Sequence, residues 1–297
     1  MSKFYKPGDI IYSGKPFAQC VNYELRKLIC DNCFRFSPGL LWKLKACCNC
    51  RYVYYCGKPC QRESWNRHKL ECPLLCNIQE ECNKEFVRLT GQVILLLKGK
   101  DWKSISEPVG NTEKSFYDLV SNTEHTKNDS KLSLQGLEVL NLVKKYLGKA
   151  NVSTDDEILE IFGKVKHNVF GVGKDSVLSG SALYLGASLF NHACIPNANR
   201  NFQGATIIVR AISNLSQDDV TKVTISYREL LFSDESFKTK DFFYGPCKCD
   251  DCSLPYGESK LTKILDKTRA WSVIESTKRA LDVLRNLRNF AGKYNLC

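Results

Sequence analysis

The chain has 297 residues, a formal net charge of +11 and 16 cysteines. That length carries about two domains with cores of their own, so the cysteines are not needed to staple the whole fold. The longest purely aliphatic run, residues 93–97, is far too short to span a bilayer, and residues 1–9 lack the apolar core of a signal peptide. These features predict a soluble, intracellular protein with no membrane partner. In such a reducing compartment many cysteines mean metal rather than disulfides. Metal-bound thiolates would leave the chain only mildly basic.

In chain order, Pro7-Gly8-Asp9 reads as a turn into a strand at residues 10–12, and residues 13–21 continue extended with a bend at Pro16. Eight cysteines then fall between Cys30 and Cys72. They order as Cys30-x2-Cys33, Cys47-x2-Cys50 and Cys56-x3-Cys60, and the run closes with His68-x3-Cys72. Zinc takes four N/S donors at tetrahedral corners, and residues two or three apart let one tight turn supply two of them. Four such pairs make two sites, with Cys48 left over. A short helix over 61–71 is expected to pack Trp65 and Leu70 inward.

Past Cys76 the pattern turns helical. Phe86, Leu89, Val93, Leu96 and Leu97 share one face, with Gly91 as its weak point. Residues 98–113, with Pro108, Gly110 and Asn111, read as a loop. Leu134, Leu137, Val139, Leu140, Val143 and Leu147 mark a second helix, stopped by Gly148. Thr154-x-x-Glu157 fits a capping box before a third, striped by Ile158, Ile161, Phe162 and Val165. All three stripes are read as core, and His125 and His167 are given no role. Residues 205–211 and 222–227 are β-branched and read as strands. A second cluster, Cys247-x-Cys249-x2-Cys252, precedes a basic helical tail.

These residues resemble a known family. Residues 30–72 have the spacing of a MYND zinc finger. Asn191-His192-Ala193-Cys194-Ile195-Pro196-Asn197 is similar to the signature of SET-domain lysine methyltransferases, and Thr224-Ile225-Ser226-Tyr227 followed by the second cysteine cluster matches that family's ending. In this order they resemble the SET-and-MYND-domain (SMYD) protein-lysine methyltransferases. A ubiquitin-ligase RING usually has its histidine mid-order, where here it comes second to last.

The resemblance implies an α+β fold, a SET β-fold split by the finger and a helical insertion, with a zinc-bound post-SET segment and a short C-terminal helix. Its parts would be the start of the SET domain (1–29), the finger (30–72), the helical insertion (73–167), the core SET domain (168–232), the post-SET segment (241–252) and the C-terminal helix (259–297). It implies interleaved zinc sites, Cys30, Cys33, Cys56 and Cys60 in one, Cys47, Cys50, His68 and Cys72 in the other. A third zinc would take Cys194, Cys247, Cys249 and Cys252, leaving Cys20, Cys48, Cys76, Cys82 and Cys297 free.

The implied reaction is methyl transfer from S-adenosyl-L-methionine to a protein lysine, histone or otherwise. Tyr227 would position the reacting centre, and Asn191, His192, Ser188 and Asn122 would hold the cofactor. Several positions depart from the family. The chain begins after its glycine-rich cofactor loop, Gly245 stands where an aromatic packs on adenine, Val120 replaces an acidic residue and Lys114 an aromatic. The Gly-Glu-Glu turn before the last strand becomes Asp218-Asp219-Val220-Thr221. The alternative is a catalytically inactive scaffold whose finger recruits partner peptides. Tyr52, Tyr54, Tyr55 and Trp65 among Lys43, Lys45, Arg51, Lys58, Arg62, Arg67 and Lys69 would suit such a peptide, and would also suit nucleic acid.

Overall fold

A computed structural model describes residues 4–37, 43–121, 130–148, 153–174 and 177–227. Asn122, His125 and the chain from residue 228 on, with Cys247, Cys249, Cys252 and the C-terminal helix, lie outside the described residues. The chain divides into two compact units. One is Met1–Asn191 with Asn197–Ile225, the other His192–Pro196 with Ser226–Cys297.

The first unit opens with strands β1 (Phe4–Tyr5), β2 (Ile10–Gly14) and β3 (Ala18–Val21). The turn into β2 is set by Gly8, whose φ of 94° an L side chain rarely adopts. The finger follows, with β4 (Lys45–Ala46) and β5 (Tyr54–Tyr55) paired antiparallel ahead of helix α1 (Lys58–Leu75). Next come α2 (Glu85–Leu97), the hairpin β6 (Ser106–Val109) and β7 (Thr112–Ser115), α3 (Ser130–Leu147) and α4 (Asp155–Asn168). The later strands are β8 (Val169–Lys174), β9 (Val177–Leu183), β10 (Asn191–His192), β11 (Ala198–Gln203), β12 (Thr206–Ala211), β13 (Leu215–Ser216) and β14 (Thr224–Ile225).

Strands from before the finger pair with strands from after the helices. β2 joins a sheet of order β11-β12-β2, β3 a sheet of order β3-β9-β8, and β1 pairs β13. The finger and the helices therefore enter as excursions from a set of antiparallel sheets. Along β12 the side chains alternate, with Ile207, Val209 and Ala211 buried, as a strand with one face on a core requires. This sheet core also takes Ile11, Tyr12, Val109, Tyr184 and Phe190. A second core gathers the finger and helices around Leu75, Val87, Leu89, Val93, Val143, Ile158 and Ile161.

The capping of α4 is as the sequence predicts, with Thr154 Oγ1 accepting from the Glu157 amide at 3.2 Å. Other expectations need correction. Residues 98–113 are not a continuous loop, because Pro108, Gly110 and Asn111 serve a hairpin whose turn has Gly110 at φ 58°. The stripe on α3 is only partly core. Leu140, Val143, Tyr146 and Leu147 are buried, whereas Leu134 is 69% and Leu137 50% exposed. On α1 the expected inward residues, Trp65 and Leu70, are 47% and 36% exposed. The buried face of α1 is Ser64, His68, Glu71, Cys72 and Leu75, a 3–4 spacing that turns Trp65 and Leu70 outward.

Candidate metal centres and cofactor segment

The first unit brings together two sets of four ligands. The donor atoms of Cys30, Cys33, Cys56 and Cys60 lie within 4.8 Å of one another, as do those of Cys47, Cys50, His68 and Cys72. The pairs interleave because β5 runs back alongside the first knuckle, and the N–H of Cys56 donates to Cys30 Sγ at 3.3 Å. The Cys30 thiol is drawn down to about 5, chiefly by the hydrogen bond from the Cys33 thiol and also by surrounding backbone N–H groups. In the other set His68 Nε2 lies 3.3 Å from Cys47 Sγ and 3.8 Å from Cys50 Sγ, and Asn49 Nδ2 donates to Cys72 Sγ at 3.2 Å. Donor sets of four thiols, and of three thiols with one imidazole, are those of structural zinc, and the N–H donors suit thiolates. Cys48 and Cys76 are exposed, and Cys20 and Cys82 are buried outside both sets.

Behind these ligands lies a buried ionic network that no sequence motif announces. Arg88 on α2 donates to Glu71 through Nη2 (2.8 Å) and Nε (3.2 Å), and Nη2 also reaches Asp31 Oδ1 at 3.1 Å. Arg67 donates to Asp31 Oδ2 at 3.0 Å, and Tyr146 on α3 donates to Glu71 at 3.4 Å. Asp31 sits inside the Cys30–Cys33 knuckle, and Glu71 adjoins Cys72 with its Oε1 3.7 Å from His68 Nδ1. Both metal sets are thus tied to the helical core by largely buried charges. Burial alone would raise the Glu71 pKa, but Arg88 outweighs it and holds the carboxylate below its usual range.

The aromatic finger surface expected from the sequence is smaller than it reads. Tyr52 and Tyr55 are buried, Tyr52 donating to Asn83 Oδ1 at 3.0 Å and Tyr55 packing edge-on to the His68 ring. Arg67 is engaged in the network. That leaves half-buried Tyr54 and exposed Trp65, with Arg62 and Lys69 on the outer side of α1.

The signature segment is divided between the units. In the first, Ser188 lies in a 3-10 turn, Gly186–Leu189, where its hydroxyl donates to Leu185 O at 2.6 Å, and exposed Asn191 follows. Asn197 bonds to β14 and to the turn just before it. Thr224 N donates to its Oδ1 at 2.7 Å, and Asn197 Nδ2 donates to Lys222 O at 3.0 Å. The loop 117–121, which leads towards residue 122, is pinned to α4. Lys164 Nζ donates to Tyr117 O (2.7 Å) and Leu119 O (2.8 Å), and Asn168 Nδ2 to Val120 O (2.8 Å).

In the second unit His192, Cys194 and Tyr227 come together. Tyr227 N–H donates to His192 Nδ1 at 3.1 Å, with the two rings 5.3 Å apart and Tyr227 40% exposed. A backbone N–H can only donate, so Nδ1 is the acceptor and the ring proton falls on Nε2. That nitrogen lies 3.3 Å from Cys194 Sγ, so the thiol of buried Cys194 is on the receiving side, as a ligating thiolate would be.

Among known proteins, residues 30–72 match the MYND finger family. The whole chain is similar to N-lysine methyltransferase SMYD2-A of Danio rerio, at 28% identity over 96% of this chain and 64% of the relative. It is similar to human N-lysine methyltransferase SMYD2 at 26% identity (96% and 65%) and to human histone-lysine N-methyltransferase SMYD3 at 26% (94% and 64%). The chain thus spans just under two thirds of the length of these relatives.

Proposed function

We propose that this chain, whose finger and near full-length similarity support its assignment to the SMYD family, is an S-adenosylmethionine-dependent protein-lysine N-methyltransferase. The observation that carries the reading is similarity to lysine methyltransferases along 94–96% of the chain, well beyond the finger. Pairing of β2 with β12 and of β3 with β9 supports a SET domain split by the finger and the helices.

The two interleaved ligand sets would each hold one zinc, and Cys194 with Cys247, Cys249 and Cys252 a third. The cofactor would supply its sulfonium methyl group, the lysine nitrogen forming a bond to that carbon as the C–S bond breaks. The chain's own work would be to take up a lysine that has lost its proton and to align it. Tyr227 would place its hydroxyl at the reacting centre, its backbone held by His192. Asn191 and His192 would hold the cofactor largely through backbone groups. Asn122 is assigned there by resemblance, and Ser188 would contribute through its turn, its hydroxyl being bonded to Leu185 O. The protein substrate would present a lysine, on a histone or another protein. A peptide partner would meet the finger at Trp65 and Tyr54.

Calorimetry of S-adenosylmethionine with the zinc-loaded chain tests the reading. Saturable binding that weakens in Asn191→Ala is the expected result. No heat at millimolar cofactor would overturn it and leave the scaffold alternative.

A further inference from the structure

One carboxylate outside every motif holds the segment that leads into Asn191. Glu107, on β6, accepts from Tyr12 Oη at 2.7 Å through Oε1 and from the Gly186 N–H at 2.9 Å through Oε2. Tyr12 belongs to β2 and Gly186 opens the 3-10 turn that carries Ser188. The carboxylate thus clasps three segments far apart in sequence. Glu107 is half-buried, and the Tyr12 ring it holds is tightly packed. A Cβ at Gly186 would lie 2.5 Å from the Tyr12 ring, and one at Gly14 would lie 1.9 Å from the Tyr12 oxygen. The Tyr12 ring also meets the edge of Phe190, fully buried and adjacent to Asn191, at 5.8 Å.

We propose that Glu107 is a positioning residue for the cofactor, fixing the 186–191 backbone in the geometry that Asn191 needs. This rests on the methyltransferase reading. The argument is one of backbone precision. If the cofactor is held largely through main-chain groups, no side chain of the segment can adjust to compensate for a displaced turn. Gly186 has no side chain to anchor it, and its N–H at the start of a short 3-10 turn has no partner within that turn. Glu107 supplies that partner as a charge-assisted acceptor, and Tyr12, rigidly packed, fixes the orientation of Glu107 in turn. Tyr12 stays protonated and able to donate, since burial and the neighbouring carboxylate both push its pKa up.

The test uses the zinc-loaded chain and three variants, Glu107→Ala, Glu107→Gln and Tyr12→Phe. For each, S-adenosylmethionine affinity is measured by calorimetry, exchange of the Gly186 amide by hydrogen–deuterium exchange, and thermal midpoint by scanning calorimetry. Glu107→Ala should weaken cofactor binding by about tenfold or more, the scale of one lost charge-assisted hydrogen bond. It should speed Gly186 exchange, with little shift in midpoint. Glu107→Gln should restore most of both, because its amide oxygen can still accept from Gly186. A general loss of stability would lower the midpoint of both variants alike and give no such rescue.

If the unsubstituted chain binds no cofactor, the methyltransferase reading falls and this role with it. If it binds and Glu107→Ala binds equally well, or Gly186 stays as protected as before, the clasp alone is overturned. Should Glu107→Ala not fold, Tyr12→Phe carries the test. Faster Gly186 exchange with weaker binding supports the clasp, and unchanged values overturn it.

Discussion

Arg88 and Glu71 form a two-point ion pair with the guanidinium 1% and the carboxylate 0% exposed, on the seam between α1 and α2. Pairing two charges out of water gains little net stability, because desolvation offsets most of the attraction. Removing one partner is different, since it strands the other. In Arg88→Met, Glu71 loses its two-point partner and keeps only the more distant Arg67, which Asp31 also shares, and a loss of about 3–5 kcal/mol is expected. Denaturant unfolding of the zinc-loaded protein, followed by tryptophan emission, measures it. A companion Arg88→Met/Glu71→Leu variant should lose much less than the two single changes together. A cost within about 1 kcal/mol for Arg88→Met would mean that the carboxylates find other partners.

Zinc removal should unfold the finger and also loosen the helices behind it. The buried face of α1 carries His68 and Cys72 from the metal set and Glu71 from the ionic network, so little apolar area would hold that helix once the metal leaves. Chelation is expected to lower helical ellipticity and to quicken amide exchange in α2 as well as α1. Exchange confined to residues 30–72 would count against the coupling. Native mass spectrometry of the whole chain should find three zincs, and two in Cys194→Ser. Two in the unsubstituted chain would remove the site assigned to Cys194, and one would undo the interleaved finger.

Gly91→Ala sets two effects against each other. Alanine favours a helix interior over glycine by about 1 kcal/mol. A Cβ at this position would lie 2.5 Å from the Tyr146 ring, which is buried and bonded through its hydroxyl to Glu71. Overpacking of this kind costs about 1–3 kcal/mol, so net destabilisation is expected. Thermal melting of the variant checks the sign, and a raised midpoint would show that Tyr146 can give way.

Cysteine chemistry should follow exposure rather than count. Burial pushes the Cys20 thiol up to about 12, so it stays protonated and shielded. Cys48 and Cys76 are exposed and should take a maleimide first, mapped by peptide mass spectrometry of zinc-loaded protein. Modification of Cys20 at the same rate would show that the core around Arg88 opens readily.

Much of this protein was written locally. The ligand pairs, the cap at Thr154, the turn at Gly8 and the core face of α2 are each fixed within a few residues, because a zinc knuckle, a cap or an amphipathic stripe is a short-range device. The interleaving of the pairs came from family resemblance, and the structure brings the same two sets together. Local reading failed where a residue's role depends on what faces it. Hydrophobicity alone places Trp65, Leu70, Leu134 and Leu137 inside, but the neighbouring elements claim other faces of their helices. Tyr52 and Tyr55 look like surface residues among the basic side chains of the finger, yet they are buried beside Asn83 and His68.

The sequence by itself determined that this chain carries a MYND-type finger with paired zinc ligands, since that is a pattern of residue type at fixed spacing. Only the tertiary structure decided that Arg88 meets Glu71 and Asp31, and that Glu107 meets Gly186 and Tyr12. Those pairings join residues 17 to 95 positions apart. A charged side chain in a sequence looks the same whether water or a buried partner faces it, and the chain's path brings the partner.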